Sequence, residues 1–278
     1  MTTATLARTE SAAVRPTHRP GMTDLMRSEW TKLRTLRSTW WSLTAMIALS
    51  VGLTIAACAV YTHDYPHLDP STQLEFRSDT IGLILQPGVS FAGLAVSVLG
   101  AMLMAGEYST GMIRATMLAE PRRTRALLAK AATFAAFMYV ASELVAIPAF
   151  FIGSAITHAH AAVSITDPTT IRAVLCFGLY MTAIGLIALS IGTLVRHTAA
   201  AISIVLGLQF VAPIVLSLIP GSVGKHLSNA LPEGANVILS SGHNASNVYT
   251  PAQGALILLA WVVVLGGAAL FTIKKRDV

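Results

Sequence analysis

Apolar residues along this chain fall into six long runs: Trp40–Tyr61, Ile81–Ala105, Leu127–Ile152, Ile171–Val195, Ala199–Ile219 and Gln253–Ile273. An α-helix rises about 1.5 Å per residue, so roughly 20 apolar residues cross a hydrocarbon core of about 30 Å. The alternation of polar and apolar positions that marks barrel strands is missing. Backbone groups left unpaired in lipid cost several kcal/mol each, which leaves helices as the spanning element. The pattern predicts an all-α polytopic membrane protein with six transmembrane helices. Ahead of the first run, Leu25, Met26, Trp30, Leu33, Leu36 and Trp40 recur at steps of three and four, while Arg27, Lys32, Arg34 and Arg37 fill the other face. That is an amphipathic helix for the membrane interface, with tryptophans at headgroup depth and basic groups on phosphates. It is expected to turn into the first span at Arg37–Ser38–Thr39. The division expected is a disordered tail over 1–22, an interfacial helix over 23–39, and a transmembrane domain over 40–278. Within that domain lie a loop at 106–126 and a segment at 221–252.

Composition changes the picture little. The 278 residues are 54% hydrophobic and 12% charged, about half the charge of a soluble domain, and mean hydropathy is +0.65. Cys58 and Cys176 both fall in apolar runs, which excludes a disulfide framework and a four-ligand zinc site.

Charge orients the spans. With six crossings both termini share a side. That side holds 16 of the 19 basic residues, and only Arg77, Arg172 and Lys225 lie on the other. By the positive-inside rule both termini are expected in the cytoplasm. The formal charge of +6 is thereby explained by anionic headgroups, without nucleic acid.

The loop Gly106–Lys130 is the most informative stretch. Ser109 or Thr110 is expected to cap a short helix that Pro121 stops. Met112, Ile113, Thr116 and Met117 share an apolar side at helical spacing. Such a helix either offers a docking face to a partner or rests on the bilayer. The amphipathic N-terminal helix has the same two readings, a topology anchor or an elbow that also touches a partner.

At these residues the sequence resembles a family. The block Ser28-Glu29-Trp30-Thr31-Lys32-Leu33-Arg34-Thr35-Leu36-Arg37-Ser38 is similar to the opening of actinobacterial ABC-transporter permeases of the type-2 exporter class. Gly106-Glu107-Tyr108-Ser109-Thr110-Gly111, followed by Arg114, Pro121 and Arg125, is similar to their segment between spans two and three. The six-span layout and the long segment before the last span also fit. The resemblance implies the transmembrane subunit of an ATP-driven exporter in a bacterial plasma membrane. Two separate ATPase subunits would carry ATP and Mg, with no cofactor in this chain, and the permease would pair with a second one, a homodimer. It further implies a coupling surface for the ATPase at Glu107, Tyr108, Gly111, Met112, Ile113, Arg114 and Thr116. The elbow helix would carry Trp30, Lys32, Arg34 and Arg37, and short external helices would come from Gly221–Thr250. The chain lacks a phosphate-binding loop of its own: Gly221-Ser-Val-Gly-Lys-His226 misses the glycine spacing and the terminal hydroxyl.

Other residues have paired readings. Glu143 lies deep in the third run, where an acid needs protein or water around it. It is either a proton or cation site in a translocation path or a packing acid. Gln209 and Pro213 interrupt the fifth run and either border the same path or only kink the helix. Gly178, Gly185 and Gly192 recur every seven residues, a stripe for close helix packing. His63, Asp64 and His67 fall short of a metal site. Asn244-Ala-Ser246 matches a glycosylation sequon, which the bacterial resemblance sets aside. No zinc-protease or serine-protease motif lies in a span. The alternative function is a proton-coupled secondary transporter using Glu143, and a membrane-embedded enzyme is the weakest reading.

Overall fold

The computed structural model describes residues 21–120, 122–242 and 248–275, with side chains of Ala115 and Ala119 excepted. Residues 1–20 of the tail expected over 1–22, the stop at Pro121 and the sequon lie outside the described residues, and Met22, the last residue of that tail, is already helical. Every regular element among the described residues is a helix. The interfacial helix α1 covers Met22–Thr35. The six span-forming helices follow the six apolar runs. The first is α2 (Arg37–Asp64), after which Tyr65–His67 makes a 3₁₀ turn and a short helix α3 (Pro70–Ser78) leads to the second, α4 (Thr80–Ser109). A second short helix α5 (Met112–Ala119) separates α4 from α6 (Arg123–Thr157), and α7 (Pro168–Val195) is the fourth span. The fifth is built from α8 (Thr198–Leu206), a π-turn (Gly207–Val211) and α9 (Ala212–Ser217). Beyond it lie α10 (Ser222–Asn229) and a 3₁₀ turn (Gly234–Leu239), and α11 (Pro251–Lys275) closes the chain.

The two most buried spans, α4 and α7, form the centre, with α2, α6, α8 and α11 around them. The glycine stripe of α7 explains how the central pair comes so close. A Cβ at Gly192 would stand 2.7 Å from the carbonyl oxygen of Ala101, and one at Gly185 would stand 2.7 Å from the Phe134 ring. Facing them on α4, a Cβ at Gly100 would run into the Gly185 carbonyl. In lipid, where no hydrophobic drive joins helices, such backbone approach supplies the van der Waals contact that holds them. Outward faces are apolar: Trp41, Val60, Leu144, Leu218, Leu256, Val264 and Phe271 are all more than half exposed, as a lipid-facing surface requires.

Two local expectations are corrected, and the interruption of the fifth run is located. The break between α1 and the first span falls at Leu36, whose extended backbone (φ −73°, ψ 122°) interrupts the helical ladder, so Arg37 opens α2. Ser109 and Thr110 do not cap α5. Their hydroxyls donate back to the Gly106 carbonyl at the end of α4, and the cap is Gly111 at φ +73°, a left-handed turn that favours glycine. The fifth span is interrupted at Gln209, which lies in the π-turn itself, with Pro213 in the first turn of α9.

On the side opposite the termini a polar clasp fixes the segment after α10. Asp79 caps α4 by accepting from the Gly82 N–H at 3.1 Å and also accepts from the Ser241 N–H at 2.6 Å. Burial pushes its carboxyl above the usual range against those bonds and the nearby Arg172 charge. Arg172 donates to the carbonyls of Ile238, at 2.8 Å, and Ser240. This pins the 3₁₀ turn among α4, α7 and α11.

Candidate functional site

Among the described residues, the densest charged cluster lies at the basic end of the bundle, where α1, α4, α5 and α6 meet. Glu29 and Lys32 are one turn apart on α1 and so share a face. Lys32 Nζ donates to Glu29 Oε1 at 2.6 Å and to Glu107 Oε1, at the end of α4, at 2.9 Å. Lys130, about two turns into α6, donates to the same Glu107 oxygen at 2.8 Å and to Glu29 Oε2. Thr116 of α5 lies 3.5 Å from Lys32 Nζ. Glu29, Glu107 and Lys130 are buried. Two acids and two bases balance, and each bridges elements far apart in sequence.

Burial works against the charge on Lys32, but its hydrogen bonds to Glu29 and Glu107 and their negative charges outweigh that, holding the ammonium above the usual lysine value. The hydrogen bonds matter because a buried charge without partners would shift to its neutral form.

This geometry moves several sequence-derived assignments. Glu107 and Ile113 are not part of a displayed surface, since both are buried, at 7% and 4% exposure. Lys32 faces the cluster instead of lipid phosphates, whereas Arg27, Arg34 and Arg37 are exposed. Trp30 packs edge-on against Phe137 of α6 with ring centroids 5.7 Å apart, and Trp40 donates to the Arg34 carbonyl at 3.0 Å. The elbow is thus tied to α6 and to the start of α2. Tyr108 lies under the Arg196 guanidinium, 5.0 Å from its ring centroid. Arg196 itself adopts a left-handed backbone (φ +62°) in the short link between α7 and α8. On α5, Met112 and Leu118 are exposed at 48% and 84%, and Arg114 is exposed beside them.

The remaining candidates lie elsewhere. Glu143 accepts from the Gly178 N–H at 3.2 Å, and a Cβ on Gly178 would occupy the place of its carboxylate. Its position is therefore a tie between α6 and α7. Gln209 is buried between α4 and the fifth span and accepts from the Ser97 hydroxyl at 2.9 Å. Glu143 and Gln209 belong to different helix contacts and do not share a site with the ion cluster. On the opposite side, Glu233 accepts from Tyr180 at 3.1 Å. Burial raises its carboxyl above the usual range despite hydrogen bonds from Ser90 and Tyr180.

The sequence-derived site omits Glu29 and counts Lys130 only among the basic residues that orient the spans. A signal exists for Glu29 alone: an acid on the strongly basic side, spaced three residues from a lysine, asks for a buried partner. Compared with known family models and with curated proteins, the chain matches none.

Proposed function

We propose that this chain is the transmembrane subunit of an ATP-driven exporter that moves a hydrophobic or amphipathic cargo by alternating access, with ATP hydrolysed by two partner subunits. The observation that carries the reading is α5. It is a short helix between spans two and three with Met112, Arg114 and Leu118 outward. Its other side meets a charged cluster that reaches α1, α4 and α6. A push on such a helix reaches three elements at once, because the cluster is buried and cannot exchange its partners for water without cost. The resemblance of the Ser28–Ser38 and Gly106–Gly111 blocks to type-2 exporter permeases supports the same reading. The outward residues of α5 then form the docking face for the ATPase, while Glu107 and Lys32 act behind it as transmission residues. Two copies of the permease would enclose the cargo path.

The test is a mild-detergent pull-down from the native host through a C-terminal tag. A stoichiometric ATPase is expected with the wild type and is expected to be lost with Arg114→Ala at unchanged expression. A chain that comes alone, even after crosslinking, overturns the proposal.

A further inference from the structure

On the side of the molecule that holds α1, α5 and the ion cluster, every acid among the described residues is already engaged. Asp24 accepts from the Gly21 N–H at 2.9 Å at the start of α1. Glu29 and Glu107 hold the two lysines of the cluster. Glu120 is buried, accepts from the Arg122 N–H at 3.0 Å and stands 3.9 Å from the Arg125 guanidinium. Arg114 and Arg122 are exposed, and their guanidinium groups have no ion pair or hydrogen bond among the described residues. Between them in sequence stands Leu118, the most exposed large apolar side chain among those residues. Leu118 is one turn from Arg114 on α5, so the two share a face, while Ile113 is buried against the bundle. A helix lying on a bilayer separates apolar from basic side chains, because the two need different depths. The exposed face of α5 mixes them. An apolar centre with a polar rim is the anatomy of a protein interface, and arginine suits that rim because its planar fork meets a carboxylate with two hydrogen bonds.

We propose that this face fits a protein groove with an apolar floor for Leu118 and an acidic rim whose carboxylates pair with Arg114 and Arg122. The partner is the ATPase of the transport reading, on which the assignment rests, and what is added is the chemistry of the surface that ATPase presents. The cluster behind α5 balances two acids against two bases and has no net charge to attract a partner. Charge complementarity is therefore concentrated on the two arginines.

The experiment takes the ATPase that co-purifies from the native host, identifies it by mass spectrometry, and measures its binding to the full chain in nanodiscs of phosphatidylcholine and phosphatidylserine. Arg114→Glu and Arg122→Glu are each expected to weaken binding about tenfold or more at unchanged melting, because like charges then face each other. Lys274→Glu makes the same change in net charge at an exposed position near the end of α11, an element that packs mainly against α7. It is expected to leave binding within about twofold, as a charge screened from the interface by salt would. Arg114→Lys keeps the charge and supplies an amine. A water-soluble carbodiimide condenses an amine with a carboxylate, so an amide between position 114 and an aspartate or glutamate of the ATPase is expected in the digest. Equal weakening by all three reversals overturns the proposal, since the attraction is then to net charge alone. Full binding by Arg114→Glu and Arg122→Glu overturns it as well, yet keeps the ATPase as partner. An adduct at position 114 with phosphatidylserine in place of the ATPase puts the face on the bilayer and has the same consequence. Absence of any ATPase removes the transport reading and the acidic groove together.

Discussion

Glu107 shows what a single buried carboxylate demands of its neighbours. It receives two lysine ammoniums on one oxygen, and removing it would leave Lys32 and Lys130 facing each other across one remaining acid, Glu29. Breaking one member of a buried ionic group costs about 3–5 kcal/mol, while replacing the whole group by packed apolar residues is far milder. Glu107→Ala is therefore expected to lower the melting temperature sharply in detergent, and Glu107→Leu with Lys130→Met to recover most of the loss. Equal damage from the single and the double change would show that the charges are not coupled. Alkaline pH probes the same cluster. Lys32 has a folded-state pKa above the unfolded value of about 10.5. Its contribution is complete below that unfolded value and is lost as pH rises through the folded one. The cluster should thus hold across neutral pH and loosen only in strong alkali, earlier in Glu29→Gln, which removes one of the charges that hold the proton. A thermal melt followed from pH 8 to pH 12 measures this. None of these pairings is visible from spacing, because Lys32 and Glu107 are 75 positions apart and Glu29 and Lys130 are 101 apart. Only the Glu29–Lys32 step of three residues was legible.

The helices themselves were far more legible than their ends and connections. A run of twenty apolar residues has one stable solution in lipid, so all six spans follow from the sequence. Short elements have weaker signals. The helix α3 begins at Asp69-Pro70, where the Asp69 carboxylate accepts from the Thr72 N–H at 3.1 Å. An acid cap followed by proline at the first helical position is the signal that would have found it. Those hydrogen bonds from Ser71 and Thr72 pull the Asp69 carboxyl down to about 2. The seven-residue glycine stripe was legible as packing, and the structure names what each glycine admits. This makes a contrast between positions testable. Gly100→Leu should abolish the folded monomer, because the side chain has a backbone carbonyl in its path and overpacking against a rigid neighbour costs at least 1–3 kcal/mol, by the usual scale. Gly52→Leu and Gly267→Leu meet nothing within 4 Å and should express and chromatograph as the wild type. Size-exclusion profiles of the three variants decide it, and equal behaviour would remove the crossing of α4 and α7 from the account.

Orientation joins the separate parts. Six span-length helices place the ion cluster, α5 and the two ends of the described chain on one side, and the 16-to-3 division of basic residues predicts by the positive-inside rule that this side is the cytoplasm. An ATPase can reach α5 only if the assignment is right, so orientation bears directly on function. Single cysteines give the test, since Cys58 is buried and Cys176 half-buried within the spans. Ser71→Cys on α3 and Ser109→Cys at the end of α4 are both exposed positions, at opposite ends of the same pair of helices. A membrane-impermeant maleimide added to intact cells should label the cysteine at 71 and spare the one at 109, and permeabilised cells should label both. The reverse pattern would put α5 outside and exclude a cytoplasmic ATPase as its partner. The cluster would then remain as a structural clamp on the elbow. The labelling thus determines which compartment supplies the partner.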